Sequence, residues 1–255
     1  MKFKFLKAAT VGLVLSVSGF ANAGIIDLNT WSQQGAAGNG NWSVAVDGSS
    51  VLQTINGLPT FFVSNESFIN KEFSGTFGVE TTSDDDFMGF VFGYNGLDDF
   101  YLFDWKQLAQ GSPPHEGFTL SKISAGADVA SFNPLWTHSG AGISVIDTDY
   151  GSDRGWVDNV TYDFTLGYTD TEINISINGG TFIDEQVFSI NNLTNSAGSF
   201  GFYNLSQSQV RYTGFEETTC TVNCGTITNV PEPSTLAIFA LGMFGLASRR
   251  FKKQS

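Results

Sequence analysis

Asp84, Asp85 and Asp86 stand side by side immediately before the aromatic run Phe87-Met88-Gly89-Phe90-Val91-Phe92-Gly93-Tyr94. Clustered carboxylates in a loop are what a hard divalent cation needs, because calcium is satisfied by oxygen ligands in flexible geometry. Consecutive residues entering a strand point alternately to opposite faces, so two of the three are expected to ligate while the third pairs elsewhere. A second acidic stretch sets Asp147, Asp149 and Asp153 at the first, third and seventh places of a calcium-type loop. It departs from the EF-hand pattern, with Ser152 where that loop needs glycine and Asp158 where it needs a bidentate glutamate.

Other chemistry finds less material. The histidines are His115, beside Pro113-Pro114, and His138, and neither accompanies a Gly-x-Ser-x-Gly elbow. His138 reads as a hydrogen-bonded loop residue. Two histidines and two cysteines make no transition-metal cluster, and phosphate loops and dinucleotide fingerprints are absent. Cys220 and Cys224 form a small disulfide loop or stay as free thiols, with no catalytic role in either case. Trp136 and Trp156, in segments near loops, are the candidates for stacking on sugar rings, while Trp105 is assigned to packing.

These side chains must be positioned by strands. Residues 24–217 carry no long run at helical period and offer short aromatic or β-branched stretches bounded by Gly, Asn and Asp. Strands are expected at 73–80, 87–94, 100–107, 118–123, 162–168, 172–177, 199–203 and 211–216. Asn178-Gly179-Gly180 is a hairpin turn leading into Phe182 and Ile183, since Asn and Gly accept positive φ. Glycine at the alternate positions 89 and 93 marks 87–94 as a central strand with a close neighbour over it. No repeat of 20–50 residues points to a propeller or solenoid, which leaves an all-β, two-sheet sandwich or jelly roll. With 24 Phe residues the chain has ample bulk for its core.

The formal net charge is -13, but seven of the 12 basic residues lie at the two ends. Setting those aside leaves a body with a net charge of about -20, which repels phosphate backbones and excludes nucleic acid as a partner while favouring cations. The front end, residues 1–23, has the order of a signal peptide: Lys2, Lys4 and Lys7, an apolar stretch, then Ala21-Asn22-Ala23 as a small-x-small cleavage site. The far end runs Pro231-Glu232-Pro233, an apolar stretch over 235–247, then Arg249-Arg250-Phe251-Lys252-Lys253. That apolar stretch is shorter than the roughly 17–25 residues of a permanent span, so a transient anchor in the inner membrane is expected, with its basic end cytoplasmic.

The order Pro-Glu-Pro, apolar helix, basic tail resembles the PEP-CTERM sorting signal, which implies processing by an exosortase of a Gram-negative bacterium and release or attachment at the cell surface. The expected organisation is a signal peptide over 1–23, one domain over 24–218, a linker with the Cys pair over 219–229 and a sorting signal over 230–255. Within the domain, the 84–94 block followed by Phe100-Tyr101 and Trp105-Lys106-Gln107 resembles the signature of the thrombospondin C-terminal domain. Val51-Leu52-Gln53-Thr54 and Phe73-Ser74-Gly75-Thr76-Phe77 resemble its early strands, and Leu135-Trp136-Thr137-His138, Gly155-Trp156 and Gly201-Phe202 fall where it has similar elements, so the likeness runs over about 41–216.

This resemblance implies a concanavalin A-like jelly-roll sandwich that binds calcium, with Asp84, Asp85 and Asp86 inheriting the metal role and Asp147, Asp149 and Asp153 as a secondary candidate. It implies non-enzymatic adhesion or carbohydrate binding at the cell surface or in exopolysaccharide, with an extracellular polysaccharide or matrix glycoprotein as partner. The tandem Asp-rich repeats of thrombospondins are not seen, nor is the Glu-x-Asp-x-x-Glu spacing of concanavalin-like glycoside hydrolases. A polysaccharide-degrading enzyme on the same scaffold remains the alternative, because other spacings can bring two carboxyl groups to the roughly 5 Å that retaining hydrolysis needs.

Overall fold

The apolar density of the 87–94 run has a tertiary cause. Met88, Phe90 and Phe92 point into one hydrophobic cluster, and Phe87 and Val91 point into another on the opposite side. A strand covered on both faces reads as a nearly continuous hydrophobic run instead of an alternating one.

The computed structural model describes residues 24–219. The expected signal peptide, Cys220, Cys224 and the Pro231-Glu232-Pro233 sorting signal with its apolar helix lie outside the described residues. In chain order the strands are β1 (Gly24–Ile25), β2 (Ser32–Gly35), β3 (Trp42–Val44), β4 (Ser50–Gln53), β5 (Thr60–Val63), β6 (Lys71–Val79), β7 (Phe87–Tyr94), β8 (Phe100–Lys106) and β9 (Gly117–Ile123). A short helix α1 (Phe132–Thr137) follows, then β10 (Ile143–Tyr150), β11 (Tyr162–Tyr168), β12 (Ile173–Gly179), β13 (Phe182–Ile190), β14 (Ser199–Leu205) and β15 (Val210–Thr219).

They form two antiparallel sheets. The seven-stranded sheet has the order β10-β9-β8-β7-β14-β5-β2, with β7 in the middle. The eight-stranded sheet runs β13-β12-β11-β6-β15-β4-β3, with β1 added beside β15. Each sheet combines hairpin neighbours with pairs that are distant in sequence, such as β14 with β5 and β15 with β6, which is the jelly-roll signature. Between the sheets lies a core rich in aromatic rings. Phe90 stacks on Phe103 at 4.5 Å between centroids, Phe200 on Phe215 at 4.5 Å, and Trp105 on Phe118 at 4.5 Å. Offset and edge contacts of this kind add to the area buried.

A second, smaller core covers the outer face of the seven-stranded sheet. Val129, Leu135 and Trp136, from the segment between β9 and β10, pack there on Phe87, Val91, Phe100 and Leu102. That lid includes α1, which no sequence signal announced. Two other expectations change. Residues 147–150 belong to the edge strand β10 rather than to a loop, paired with β9 through a register shift between Val145 and Asp147. The final strand extends to Thr219, past the residue where aromatic patterning ends.

Gly89 and Gly93 meet the close approach expected of them. A Cβ on Gly89 would drive into the carbonyl oxygen of Phe103 on the neighbouring strand, and Gly93 has φ +54° with the Tyr168 hydroxyl beside it. Gly89→Ala should therefore lower stability by about 1–3 kcal/mol, the usual cost of overpacking a close-packed interior, read as a fall in the urea midpoint. An unchanged midpoint would show that β7 and β8 are not this tightly apposed.

Candidate metal centre

Asp84, Asp85 and Asp86 lead the chain into β7, a strand covered on both faces. Each offers a carboxylate oxygen, and the three oxygens lie within 4.8 Å of one another. Among the described residues this is the only group of three or more acidic, His or Cys side chains so arranged. The alternation expected of an extended strand does not hold across the triplet, because the strand begins only at Phe87.

The end of β8 fastens the group. Lys106, the last residue of that strand, is fully buried and places its ammonium 2.8 Å from Asp86 Oδ1 and 3.5 Å from Asp85 Oδ1. The same ammonium donates to the Asp85 carbonyl at 3.0 Å, and the Gln107 backbone N–H donates to it at 3.2 Å. Lys106 lies opposite Phe87 in the β7–β8 register, so its alkyl stem runs beneath the lid while its head reaches the triplet. From the turn after β14, Gln207 Oε1 accepts the Asp86 N–H at 2.8 Å, and Trp156 Nε1 donates to the Asp86 carbonyl at 3.1 Å. Asn56 donates to Asp84 Oδ2, and Gln110 Nε2 to Asp85 Oδ1 at 2.5 Å.

Charge does not balance here, since three carboxyl groups face one ammonium. Burial, with the Asp86 carboxylate next in importance, pushes the Asp84 carboxyl up to about 6 from its ordinary 3.8. Hard oxygen donors, close spacing and an excess of negative charge suit a calcium-like cation, for which all three residues could supply ligands. Asn56, Gln110 and Gln207 went unnoticed in the sequence, and Trp156 was read there as a stacking ring and not as a hydrogen-bond donor. Their contributions are single hydrogen bonds from four distant segments, and no local spacing betrays them.

The secondary acidic candidate comes apart. Asp147 accepts the N–H of its neighbour Thr148, while Asp149 and Glu185 both hold the Arg154 guanidinium. Strand geometry separates what a loop would have gathered. Trp156 cannot serve as a sugar platform, since it is 1% exposed and its ring belongs to the core between the sheets. Trp136 remains partly exposed, stacked on Phe132 at 4.5 Å, with the Lys106 ammonium 4.9 Å from its ring centre. His138 caps α1 at φ +49° and bonds through Nε2 to Asp104 Oδ2 at 2.8 Å. Burial raises the Asp104 carboxyl and His138 opposes that rise, so the pair ties the lid to β8 beneath it.

Comparison with known proteins agrees with this architecture. Residues 37–221 match the family model for the thrombospondin C-terminal region, and residues 229–253 match the PEP-CTERM protein-sorting motif. Human thrombospondin-2 is 30% identical over 186 residues, covering 68% of this chain and 16% of that protein. Rat cartilage oligomeric matrix protein is 33% identical over 138 residues, 49% of this chain and 18% of that one. The chain thus spans less than a fifth of either relative. Among solved structures, the carbohydrate binding module CBM66 from Bacillus subtilis superposes with a TM-score of 0.52 at 13% identity, covering 74% of this chain and 95% of that one. The VIP36 exoplasmic/lumenal domain in its Ca²⁺/Man3GlcNAc-bound form gives 0.52 at 10% identity, covering 77% and 86%. At such identities the likeness is one of fold, a lectin-like jelly roll.

Removing one partner of a buried ion pair strands the other. Lys106→Met should cost about 3–5 kcal/mol in urea unfolding, and adding Asp86→Asn to that variant should restore part of the loss. If the single variant unfolds like the parent protein, the triplet is held by its backbone bonds alone.

Proposed function

We propose, because the chain belongs to the thrombospondin C-terminal family, that it is a non-catalytic carbohydrate-binding and adhesion module, organised by calcium at Asp84, Asp85 and Asp86. The observation that carries the metal is the convergence of three carboxylates on a rigid strand head with a single ammonium to offset them. A bound Ca²⁺ supplies the missing positive charge and rigidifies the loop between β6 and β7. The signature's second half has a physical role in the same reading. Trp105 anchors the end of β8 in the core, Lys106 neutralises Asp86, and Gln107 holds both the Asp85 carbonyl and Asp158 Oδ1.

Carbohydrate binding is supported by fold, through a sandwich shared with a carbohydrate binding module and with a domain in a calcium- and glycan-bound form. The acidic body and the sorting motif complete the assignment. We take the chain to be exported through 1–23, held for a time in the inner membrane by 235–247, and cut by an exosortase near the Pro231-Glu232-Pro233 motif that it recognises, in a Gram-negative envelope. The 24–218 domain then works at the surface or in exopolysaccharide, on an extracellular polysaccharide or a matrix glycoprotein.

Calcium should raise the melting temperature, by about 5–10 °C at a hundredfold excess over its Kd. Asp84→Asn and Asp85→Asn should each erase most of that shift, and an unshifted melt of the parent protein in millimolar calcium would refute the metal assignment. The pH dependence has a definite sign. A carboxyl whose folded pKa is raised stabilises the fold while protonated, so without calcium the Asp84 contribution is present below about pH 4 and is lost as pH rises through about 6. Calcium binds the ionised form, so the calcium-induced shift should grow between pH 5 and pH 7. A shift independent of pH over that range would remove Asp84 from the ligand set. Release of new reducing ends from polysaccharide would favour the enzymatic alternative.

A further inference from the structure

The grooves on the described surface differ in the charge of their walls. One at the end of the sandwich carries Asp27, Glu66, Lys71 and Glu217, one beside β6 carries Glu80 and Arg211, and a cleft under residues 152–158 carries Glu116, Asp153, Arg154 and Glu185. A groove of about 400 Å³ near the β2 edge of the seven-stranded sheet has no charged residue in its walls. Its polar groups are the hydroxyls of Ser32, Ser64, Ser199 and Tyr94 and the amides of Gln34 and Asn95. Its size is within the range of ordinary small-molecule sites, roughly 300–1,000 Å³.

The topology explains why these residues meet. Ser32 lies opposite Val63 and Gln34 opposite Phe61 in the β2–β5 register, and both partners belong to the outer-face core. Ser32 and Gln34 therefore project on the outer face, which the lid covers farther across the sheet. Tyr94 lies opposite Ser199 across β7 and β14. Its ring is held against Phe100 at 5.3 Å and Phe61 at 6.3 Å, while part of it remains exposed. The Gln34 amide nitrogen is engaged by Ser32 Oγ at 3.2 Å, and that of Asn95 by the Gly93 carbonyl and Asp99, both at 3.3 Å. Their amide oxygens are left to accept.

Sugars are bound by such a set, with hydroxyls hydrogen-bonding to amides and alcohols and the apolar ring face lying on an aromatic side chain. The sign of the charge narrows the class further. An anionic polysaccharide would find no cation in this groove and would approach a body whose net charge is about -20. We infer that the groove bounded by Ser32, Gln34, Tyr94 and Asn95 binds the neutral sugar units of a polysaccharide, with Tyr94 as the platform and the two amides fixing orientation. This rests on the carbohydrate-binding reading and adds to it a location and a ligand class.

The test is native affinity electrophoresis of the purified full chain in gels containing dextran, laminarin or mannan, with alginate as the anionic counterpart. At least one neutral polymer should retard the chain. Tyr94→Ala should weaken that retardation by about tenfold, a loss in line with one aromatic contact and its buried area. Gln34→Ala and Asn95→Ala alter exposed side chains, and each should weaken binding by about threefold, Gln34→Ala with an unchanged melt. They decide the matter if Tyr94→Ala perturbs the fold. Retardation of the parent that all three variants keep would overturn this site while the carbohydrate-binding reading survives. Retardation by alginate alone would overturn the neutral class. Failure of every polymer to retard the parent would remove the carbohydrate-binding reading and this site with it.

Discussion

A lysine ammonium with no access to solvent is the constraint around which the head of the central strand is arranged. Lys106 must find negative partners, because an isolated charge in the interior costs several kcal/mol even after relaxation. It finds Asp86 and the Asp85 carbonyl, and in doing so joins the start of β7 to the end of β8. The hairpin between those strands then has its register set at both ends, by the turn at Asn95 and by this pair. Trp156 and Gln207 bond to the backbone of the same aspartate. Segments more than a hundred residues apart are tied to one point.

The aromatic core makes such a point possible. Rings from both sheets fill the space between them, so β7 and β8 cannot slide without disturbing many offset contacts at once. The outer face is covered in part by the lid carrying α1, and Phe87, the first residue of β7, packs there at the edge of Trp136. The triplet is thus attached to a strand fixed on both faces. Rigid placement keeps the acidic side chains close, and burial first, with the Asp86 charge next, raises the Asp84 carboxyl. The same sheet is less covered toward β2, where Ser32, Ser64 and Ser199 with their short hydroxyl side chains line the uncharged groove.

Most strands were legible in the sequence, and the central one, β7, was read with its glycines understood. β7 was plain because burial on both faces leaves a dense apolar run that permits no other reading. The early strands around 32–35 and 60–63 are short, and their side chains do not alternate cleanly, so local pattern left them indistinct. β10 was taken for a loop because Asp147 and Asp149 are depleted in strands. They are tolerated on an exposed edge, where charge also discourages pairing with another chain. Trp156 was mistaken for a surface ring because glycine and aspartate surround it in sequence; its burial comes from Asp86 and the core, both remote in the chain.

Local order alone determined the sorting motif over 229–253, the β class, the central strand, and the presence of an acidic triplet beside it, since each depends on residues within a few positions of one another. Tertiary structure decided which charges meet. That Lys106 rather than a more distant base neutralises Asp86, that Arg154 draws Asp149 away from a second acidic site, and that Tyr94, Gln34 and Ser32 share one uncharged groove all follow from strand order in a jelly roll. In that fold many neighbours in space are distant in sequence, and no spacing along the chain encodes those pairs.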